Sequence, residues 1–247
     1  MVTIDDSGGT NVAATQHTST WLFKRHLRDI STPLELLLGA VRPAMACLAL
    51  GFALGLAPGP ALAAAPETGP SAVIDRLHEA LIEVMKAAKE LGYEGRFERL
   101  APVLEESYDF PFMTRIATAT AWRDMTEEQQ AELIALFREM SIASYAARFD
   151  GYGGEEFETI GEAPGPRDAV VIESRLVRPE DAPVQLNYVM REEDGAWRIV
   201  DVLLDAKFSE LARQKAEFSA VLRQGGVPDL KEVLEEKIAD LEAEGSS

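Results

Sequence analysis

Apolar residues recur every three or four positions from residue 71 to residue 91, which predicts an amphipathic helix ending at Gly92. A second, shorter helix follows and is interrupted or restarted at Pro102. Asp109 can cap a third helix that begins near Pro111. The chain is therefore predicted to be helical from residue 71 into the helix that begins near Pro111.

Thr126 and Gln129 carry the sequence signature of a capping box, which predicts a long helix to about Phe149. Beyond that helix, apolar and polar residues alternate in short runs that are typical of β-strands. We expect Asp194 and Gly195 to form the hairpin turn between the last two runs. The runs cover residues 155–162, 169–177, 184–191 and 197–204.

The last run alternates in a way that predicts its two faces. We expect one face of this strand to carry Trp197, Ile199 and Leu203. The opposite face is expected to carry Arg198, Val200, Val202 and Leu204. Helical patterns then resume over residues 208–223 and again from Asp229. Strands joined by short turns, with helices segregated around them, predict an α+β domain. We expect an antiparallel sheet of about four strands, packed against several helices around an apolar pocket.

The N-terminal part of the chain has the pattern of a targeting segment. Residues 44–57 carry no charge and have the length of the apolar region of a secretory signal peptide. Ala61-Leu62-Ala63 supplies small residues for cleavage after Ala63. We therefore predict an N-terminal extension and cleavable signal peptide over residues 1–63, and one mature domain over residues 64–247 in the periplasm.

Two alternatives remain open for this segment. About forty residues precede Arg42, the basic residue beside the apolar run, whereas such basic regions are usually short. Val41 is therefore an alternative start of translation. An uncleaved signal anchor is the second alternative.

Charge and composition exclude several classes of function. The chain has 24 Lys and Arg against 42 Asp and Glu, a formal net charge of -18, so we predict no binding to nucleic acid. It has one cysteine and three histidines, of which only His78 lies beyond residue 26. A Cys/His metal site is therefore nearly excluded, and no cofactor is expected.

Candidate catalytic residues are few. His78 is expected on the solvent side of the first helix. Asp201 and Asp205 border the last strand and could serve as a paired acid and base. Such residues more often form hydrogen bonds at the end of a sheet or cap the next helix, and Asp205 is well placed to cap the helix near Phe208.

Five stretches of sequence resemble a known family when they are taken in order. They are Tyr108–Met113, Thr126–Gln129 leading into Leu136-Phe137, Tyr145–Phe149, Trp197–Val202 and Glu217–Gly226. The set is similar to the MlaC family of periplasmic phospholipid-binding proteins, also called the toluene-tolerance or ABC-transporter auxiliary family. It looks most like the hopanoid-associated HpnM branch. Asp205-Ala206-Lys207 departs from relatives that often place glycine after the strand.

The resemblance implies a lipid carrier that holds acyl chains between its sheet and its helices. The implied cargo is a phospholipid or a hopanoid-related lipid. The implied partners are an inner-membrane ABC transporter with an MCE-type protein and an outer-membrane lipoprotein complex. The candidate lipid-binding residues, chosen from both strand faces, are Phe110, Met113, Ile116, Met140, Tyr145, Val171, Leu186, Tyr188, Val200, Val202, Phe218 and Leu222.

Two other functions stay open on the sequence. An enzyme of the ketosteroid-isomerase-like α+β kind would use Asp201 or Asp205 as its base and Tyr188 as an oxyanion donor. A cargo-free interaction protein would use the helices over residues 208–241 as a docking surface.

Overall fold

The structure is a computed structural model, and it describes residues 69–246. The predicted signal peptide and its cleavage after Ala63 lie outside the described residues. Within the described range, no helix has both the length and the hydropathy needed to cross a membrane.

Over residues 69–246 the chain forms five α-helices and a short 3₁₀ helix, and the first four of these α-helices precede the sheet. The 3₁₀ helix spans Ala119–Asp124. The α-helices are α1 (Pro70–Lys86), α2 (Ala88–Ser107), α3 (Phe110–Thr118), α4 (Glu127–Arg148) and α5 (Glu210–Gly245).

The sheet contains five antiparallel strands in the order β1-β2-β3-β4-β5. The α+β architecture predicted from the sequence is confirmed, with one short strand more than expected. The strands are β1 (Glu156–Pro164), β2 (Val170–Arg178), β3 (Asp181–Glu193), β4 (Ala196–Leu204) and β5 (Phe208–Ser209).

Local signals placed most element boundaries correctly. Thr126 and Gln129 form both hydrogen bonds of a capping box at the start of α4. The Asp109 carboxylate accepts the Phe112 N–H at 2.9 Å and caps α3. Asp194 and Gly195 have φ angles of 52° and 79°, which are the positive values that a tight hairpin turn requires.

The prediction that Pro102 interrupts the second helix was wrong, because α2 continues through it to Ser107. The helix tolerates the missing N–H because Leu100 and Leu104, on either side, are fully buried against the core. The break that the sequence predicted at Gly92 occurs inside α2, where this glycine has a φ of 62°.

Helix α5 doubles back on itself at Gly226, which has a φ of 76°. The Lys237 ammonium lies 3.8 Å from the Glu217 carboxylate. A straight helix would hold these residues about 30 Å apart. The two halves of α5 therefore lie side by side, in agreement with the two helices that the sequence predicted.

A β-bulge in β4 corrects the predicted strand faces. Met190 pairs with Ile199 and Tyr188 pairs with Val202, so Val200 is an extra residue between them. Paired residues share a face, which places Ile199 and Val202 on the same side of the sheet although they are three positions apart. Strict alternation predicted opposite sides and was wrong here.

One arginine joins the ends of three helices. Arg96 is 4% exposed, and its guanidinium donates to the carbonyls of Ala88 in α2, Ala146 in α4 and Gly245 in α5. Ala146 and Gly245 lie in the last turns of α4 and α5, where backbone carbonyls otherwise lack partners, and Ala88 is the first residue of α2. Arg96 therefore stabilises the place where these three helices meet.

Candidate functional site

A continuous series of stacked and edge-on rings runs between the sheet and the helices. Successive ring centroids are 4.1 to 6.4 Å apart, within the range of favourable aromatic contact. We call this series the aromatic chain. Its members, in order of contact, are His78, Phe157, Phe149, Tyr145, Tyr108, Phe110, Phe137 and Phe218.

Polar atoms along the aromatic chain pair with one another. The hydroxyls of Tyr108 and Tyr145 lie 2.5 Å apart, and the Tyr188 hydroxyl lies 3.2 Å from Nε2 of His78. Burial raises the pKa of all three tyrosines, and it lowers the pKa of His78 to about 4. All four groups are therefore neutral near pH 7, which suits an apolar environment.

The expectation that His78 faces solvent was wrong. Its side chain is 5% exposed and its ring stacks on Phe157 with a centroid distance of 4.1 Å. His78 lies four residues after Ile74 and three before Leu81, and both of these aliphatic side chains are fully buried. This spacing puts His78 on the apolar face of α1, a signal that the sequence already contained.

A surface groove lies between α1 and β1 and has a volume of about 490 Å³. This volume is within the usual range for small-molecule sites. We call it the α1–β1 groove. Two of its residues, His78 and Phe157, also form the outer end of the aromatic chain, whose other members lie deeper in the domain. The groove is lined by Asp75, His78, Glu79, Ile82, Glu83, Lys86, Phe157 and Thr159.

Two side-chain hydrogen bonds connect α1 to the edge strand β1 beside the groove. The Thr159 hydroxyl donates to the Asp75 carboxylate at 2.8 Å. The Ser71 hydroxyl donates to the Glu162 carboxylate at 2.7 Å. Both bonds are exposed, and an exposed hydrogen bond contributes only modestly to stability. These two hydrogen bonds therefore add little to the attachment of α1 to β1.

Most of the lipid-binding residues chosen from sequence lie in one hydrophobic core. Val171 and Val200 do not belong to it: Val171 pairs with Val189 on the other face of the sheet, and Val200 is the bulge residue. The remaining ten are Phe110, Met113, Ile116, Met140, Tyr145, Leu186, Tyr188, Val202, Phe218 and Leu222.

Side chains occupy the space between the sheet and the helices in this structure. Phe137 and Met190 have no exposed surface, and Tyr188 is 1% exposed. A ligand placed between these layers must therefore displace side chains or move the layers apart. Sequence reasoning missed the groove and Phe157 because the alternation of β1 is too weak to assign its buried face. Phe149, at the C-terminal end of α4, was not among the candidate lipid-binding residues.

The two aspartates proposed as catalytic groups have separate positions. Asp201 accepts hydrogen bonds from the Ser209 hydroxyl at 2.6 Å and from the Leu211 N–H at 3.0 Å. It therefore supports the start of α5, whose N-cap is Ser209. The prediction that Asp205 caps this helix was wrong, because Asp205 lies in the turn after β4. Burial raises the pKa of Asp201.

Asp201 and Tyr188 are not placed together as an isomerase-like enzyme that used both would require. Asp201 pairs with Val189, whereas Tyr188 pairs with Val202, so the aspartate and the tyrosine lie on opposite faces of the sheet. Over residues 69–246, no three His, Cys, Asp or Glu side chains come together as metal ligands.

Comparison with known proteins agrees with this fold. A solved phospholipid-binding protein from Ralstonia solanacearum, in complex with a phospholipid, is 22% identical with a TM-score of 0.61. The similarity covers 69% of this chain and 97% of that one, and at this identity it establishes the fold alone. None of the curated proteins compared with the chain matches it.

The family comparison covers most of the elements described above. The family model described as MlaC protein matches residues 75–236, from the groove side of α1 to the second half of α5. This match spans more than half of the 247 residues. The chain therefore belongs to the MlaC protein family.

Proposed function

We propose that this protein is a periplasmic lipid carrier that shelters acyl chains between its sheet and its helices. The observation that carries the proposal is the continuity of the apolar interior with the surface: His78 and Phe157 belong both to the aromatic chain and to the α1–β1 groove. Family membership and the phospholipid-bound structure of similar fold support the proposal.

The physical need for such a carrier follows from hydrocarbon solvation. Exposing one CH₂ group to water costs about 0.8 kcal/mol. A lipid with two acyl chains carries about thirty such groups, so its full exposure costs on the order of 20 kcal/mol. A protein that crosses an aqueous compartment with such a lipid must bury most of both chains. No chemical reaction is required of it.

Loading must open the interior, since side chains fill it in the structure described here. Helix α1 contacts β1 through the exposed Thr159–Asp75 and Ser71–Glu162 hydrogen bonds. Separating α1 from β1 would break these two bonds and uncover His78 and Phe157. A lipid can favour such an open state only through tighter binding to it, and burial of the acyl chains supplies that difference.

The proposed exchange partners are those that the family resemblance implies. We propose that the protein exchanges lipid with an inner-membrane ABC transporter that has an MCE-type component, and with an outer-membrane lipoprotein complex. Docking on either partner would open the α1–β1 edge and release the cargo. Phospholipid is the proposed cargo, and the likeness to the HpnM branch makes a hopanoid-related lipid the specific alternative.

The test is organic extraction of the purified full chain, expressed in a bacterial host, followed by mass spectrometry of the extract. The proposal predicts about one phospholipid for each protein molecule. A hopanoid-related lipid in its place would keep the carrier function and change the cargo. A chain that contains no lipid and takes up none from vesicles would overturn the proposal.

A matched pair of variants distinguishes the two faces of the sheet. Leu186→Asp puts a charge on the face toward the helices and should abolish lipid retention, whereas Val171→Asp, on the other face, should preserve it. Circular dichroism verifies that each variant is folded. If Leu186→Asp does not fold, Val202→Asp tests the same face at a half-buried position.

A further inference from the structure

Two tyrosine hydroxyls pair with each other in the middle of the aromatic chain. Tyr108 follows α2 and Tyr145 lies in α4, and their hydroxyl oxygens are 2.5 Å apart. Their rings stack on Phe110 and Phe149, each with a centroid distance of 5.5 Å. Burial raises the pKa of both tyrosines. The Tyr108–Tyr145 pair is therefore a polar site among apolar side chains.

This pair contains one hydrogen-bond donor more than it uses. A tyrosine hydroxyl can donate one hydrogen and can also accept hydrogen bonds. When one of the two hydroxyls donates to the other, the accepting hydroxyl keeps a hydrogen of its own. Within residues 69–246 neither hydroxyl has a further hydrogen-bond partner. A buried donor without an acceptor is unfavourable, so an oxygen atom brought next to the pair would be bound there.

The pair lies on the path proposed for an acyl chain. A chain that enters past His78 and Phe157 and follows the ring contacts meets Phe149 next and then Tyr145. The pair is therefore placed beside the hydrocarbon part of the cargo, away from its head group. An acyl chain without substituents has no atom that accepts a hydrogen bond at this place.

The other buried polar pair differs in its access to water. Tyr188 and His78 also have one donor more than their single hydrogen bond uses. When the Tyr188 hydroxyl donates, the spare hydrogen is on His78, which lines the surface groove where water can accept it. Neither Tyr108 nor Tyr145 lines that groove. The inner pair is therefore the one whose spare donor needs an acceptor from the cargo.

We propose that the Tyr108–Tyr145 pair binds an oxygen atom on the hydrocarbon part of the cargo, such as the hydroxyl group of a hydroxylated acyl chain. The spare tyrosine hydrogen is donated to that oxygen, and the hydroxyl group of the cargo can donate back to a tyrosine oxygen. Lipids with a mid-chain hydroxyl are therefore selected over lipids whose chains are pure hydrocarbon. This inference rests on the proposed carrier function and adds a substrate class to it.

The test compares two phosphatidylcholines that differ in one acyl chain only, which is oleoyl in one lipid and ricinoleoyl in the other. Ricinoleoyl is oleoyl with one hydroxyl group in mid-chain. The full chain takes up lipid from vesicles that contain both in equal amounts, and the bound lipid is extracted and quantified by mass spectrometry. One hydrogen bond of ordinary net strength predicts that the ricinoleoyl lipid is enriched about fivefold.

Phenylalanine variants make this test specific to the pair. Tyr108→Phe with Tyr145→Phe removes both hydroxyls and should lower the enrichment to about one fifth of the wild-type value. This double variant also controls for any difference in how readily the two lipids leave the vesicle. Each single variant keeps one hydroxyl that can donate to the cargo, so its enrichment should exceed that of the double variant. Tyr152→Phe, at a ring that is 43% exposed, should keep the wild-type value.

The outcomes separate the two proposals. Bound lipid in the same ratio as the vesicles would overturn the inference of a hydroxyl site and leave the carrier function standing. An equal enrichment in the wild type and the double variant would also overturn it. The ratio bound by the wild type tests the inference even if the double variant does not fold. No bound lipid of either kind would contradict the carrier function itself.

Discussion

The two ends of the aromatic chain have opposite surroundings. At the inner end, Phe110 and Phe137 are 4% and 0% exposed and lie among other apolar side chains. At the outer end, His78 and Phe157 lie beside the carboxylates and the lysine of the groove. The same kind of ring contact therefore serves two purposes. It stabilises the fold where it is enclosed, and it provides an apolar path inward where it meets the surface.

The largest expected difference between the two ends is in stability. Phe137→Ala removes a fully buried ring that contacts both Phe110 and Phe218, and it should lower the free energy of unfolding by about 3–5 kcal/mol. Phe157→Ala, at the half-buried outer end, should cost about half as much. Urea denaturation of the two variants measures both values, and equal losses would contradict the distinction.

A pH titration of stability tests the burial of the outer end. The pKa of His78 is about 4 in the folded chain, below the value of 6.5 expected when it is unfolded. Between these two pH values His78 binds a proton in the unfolded chain but not in the folded one. The free energy of unfolding therefore falls as the pH drops from about 6.5 to about 4, and this loss levels off below about pH 4. The expected loss is about 3 kcal/mol.

The control for this titration is His78→Phe, which keeps a ring at the position and removes the titrating group. The difference in unfolding free energy between wild type and this variant should change by about 3 kcal/mol from pH 7 to pH 4. Other titrating groups cancel in that difference. A difference that stays constant with pH would show that His78 is not buried as described.

The paired hydroxyls at the inner end should show coupling. Tyr145→Phe leaves the buried Tyr108 hydroxyl without its partner and should cost about 1–3 kcal/mol. Adding Tyr108→Phe removes the unpaired group and should recover part of that loss. A double-mutant cycle measures the coupling energy, and strictly additive losses would show that the two hydroxyls do not interact.

The smallest effect on stability is expected at the edge of the groove. Thr159→Val removes the exposed hydrogen bond to Asp75 and should lower the free energy of unfolding by only about 0.5 kcal/mol. Lipid uptake from vesicles should nevertheless become faster, because one of the two bonds between α1 and β1 is gone. Thr126→Val, far along the chain at the cap of α4, should leave the uptake rate unchanged.

Sequence reasoning succeeded where structure follows from local signals. The capping box at Thr126 and the hairpin turn at Asp194-Gly195 are each specified by residues adjacent in the chain. The α+β class followed from the order of the helical and alternating patterns. Ten of the twelve candidate residues lie in one core, because apolar residues at regular spacing on packed elements converge there. Their role in lipid binding stays a prediction.

Long-range pairing explains what the sequence did not predict. The β4 bulge depends on how β3 and β4 align, and it reverses the face of Val202 relative to simple alternation. Asp201 anchors α5 only because the chain turns back after β4. The α1–β1 groove joins segments about eighty positions apart, and no local pattern in either segment indicates that they meet.

The central claim is that acyl chains lie between the sheet and the helices, and one measurement tests the location of the acyl chains directly. The full chain is loaded with a phospholipid that carries a photoreactive group at the end of one acyl chain, irradiated and digested, and the labelled residues are identified by mass spectrometry. The account predicts labelling at the inner end, around Phe110, Phe137 and Tyr188 on the helix-facing side. Labelling confined to Val171 and Val189, on the other face of the sheet, would contradict it.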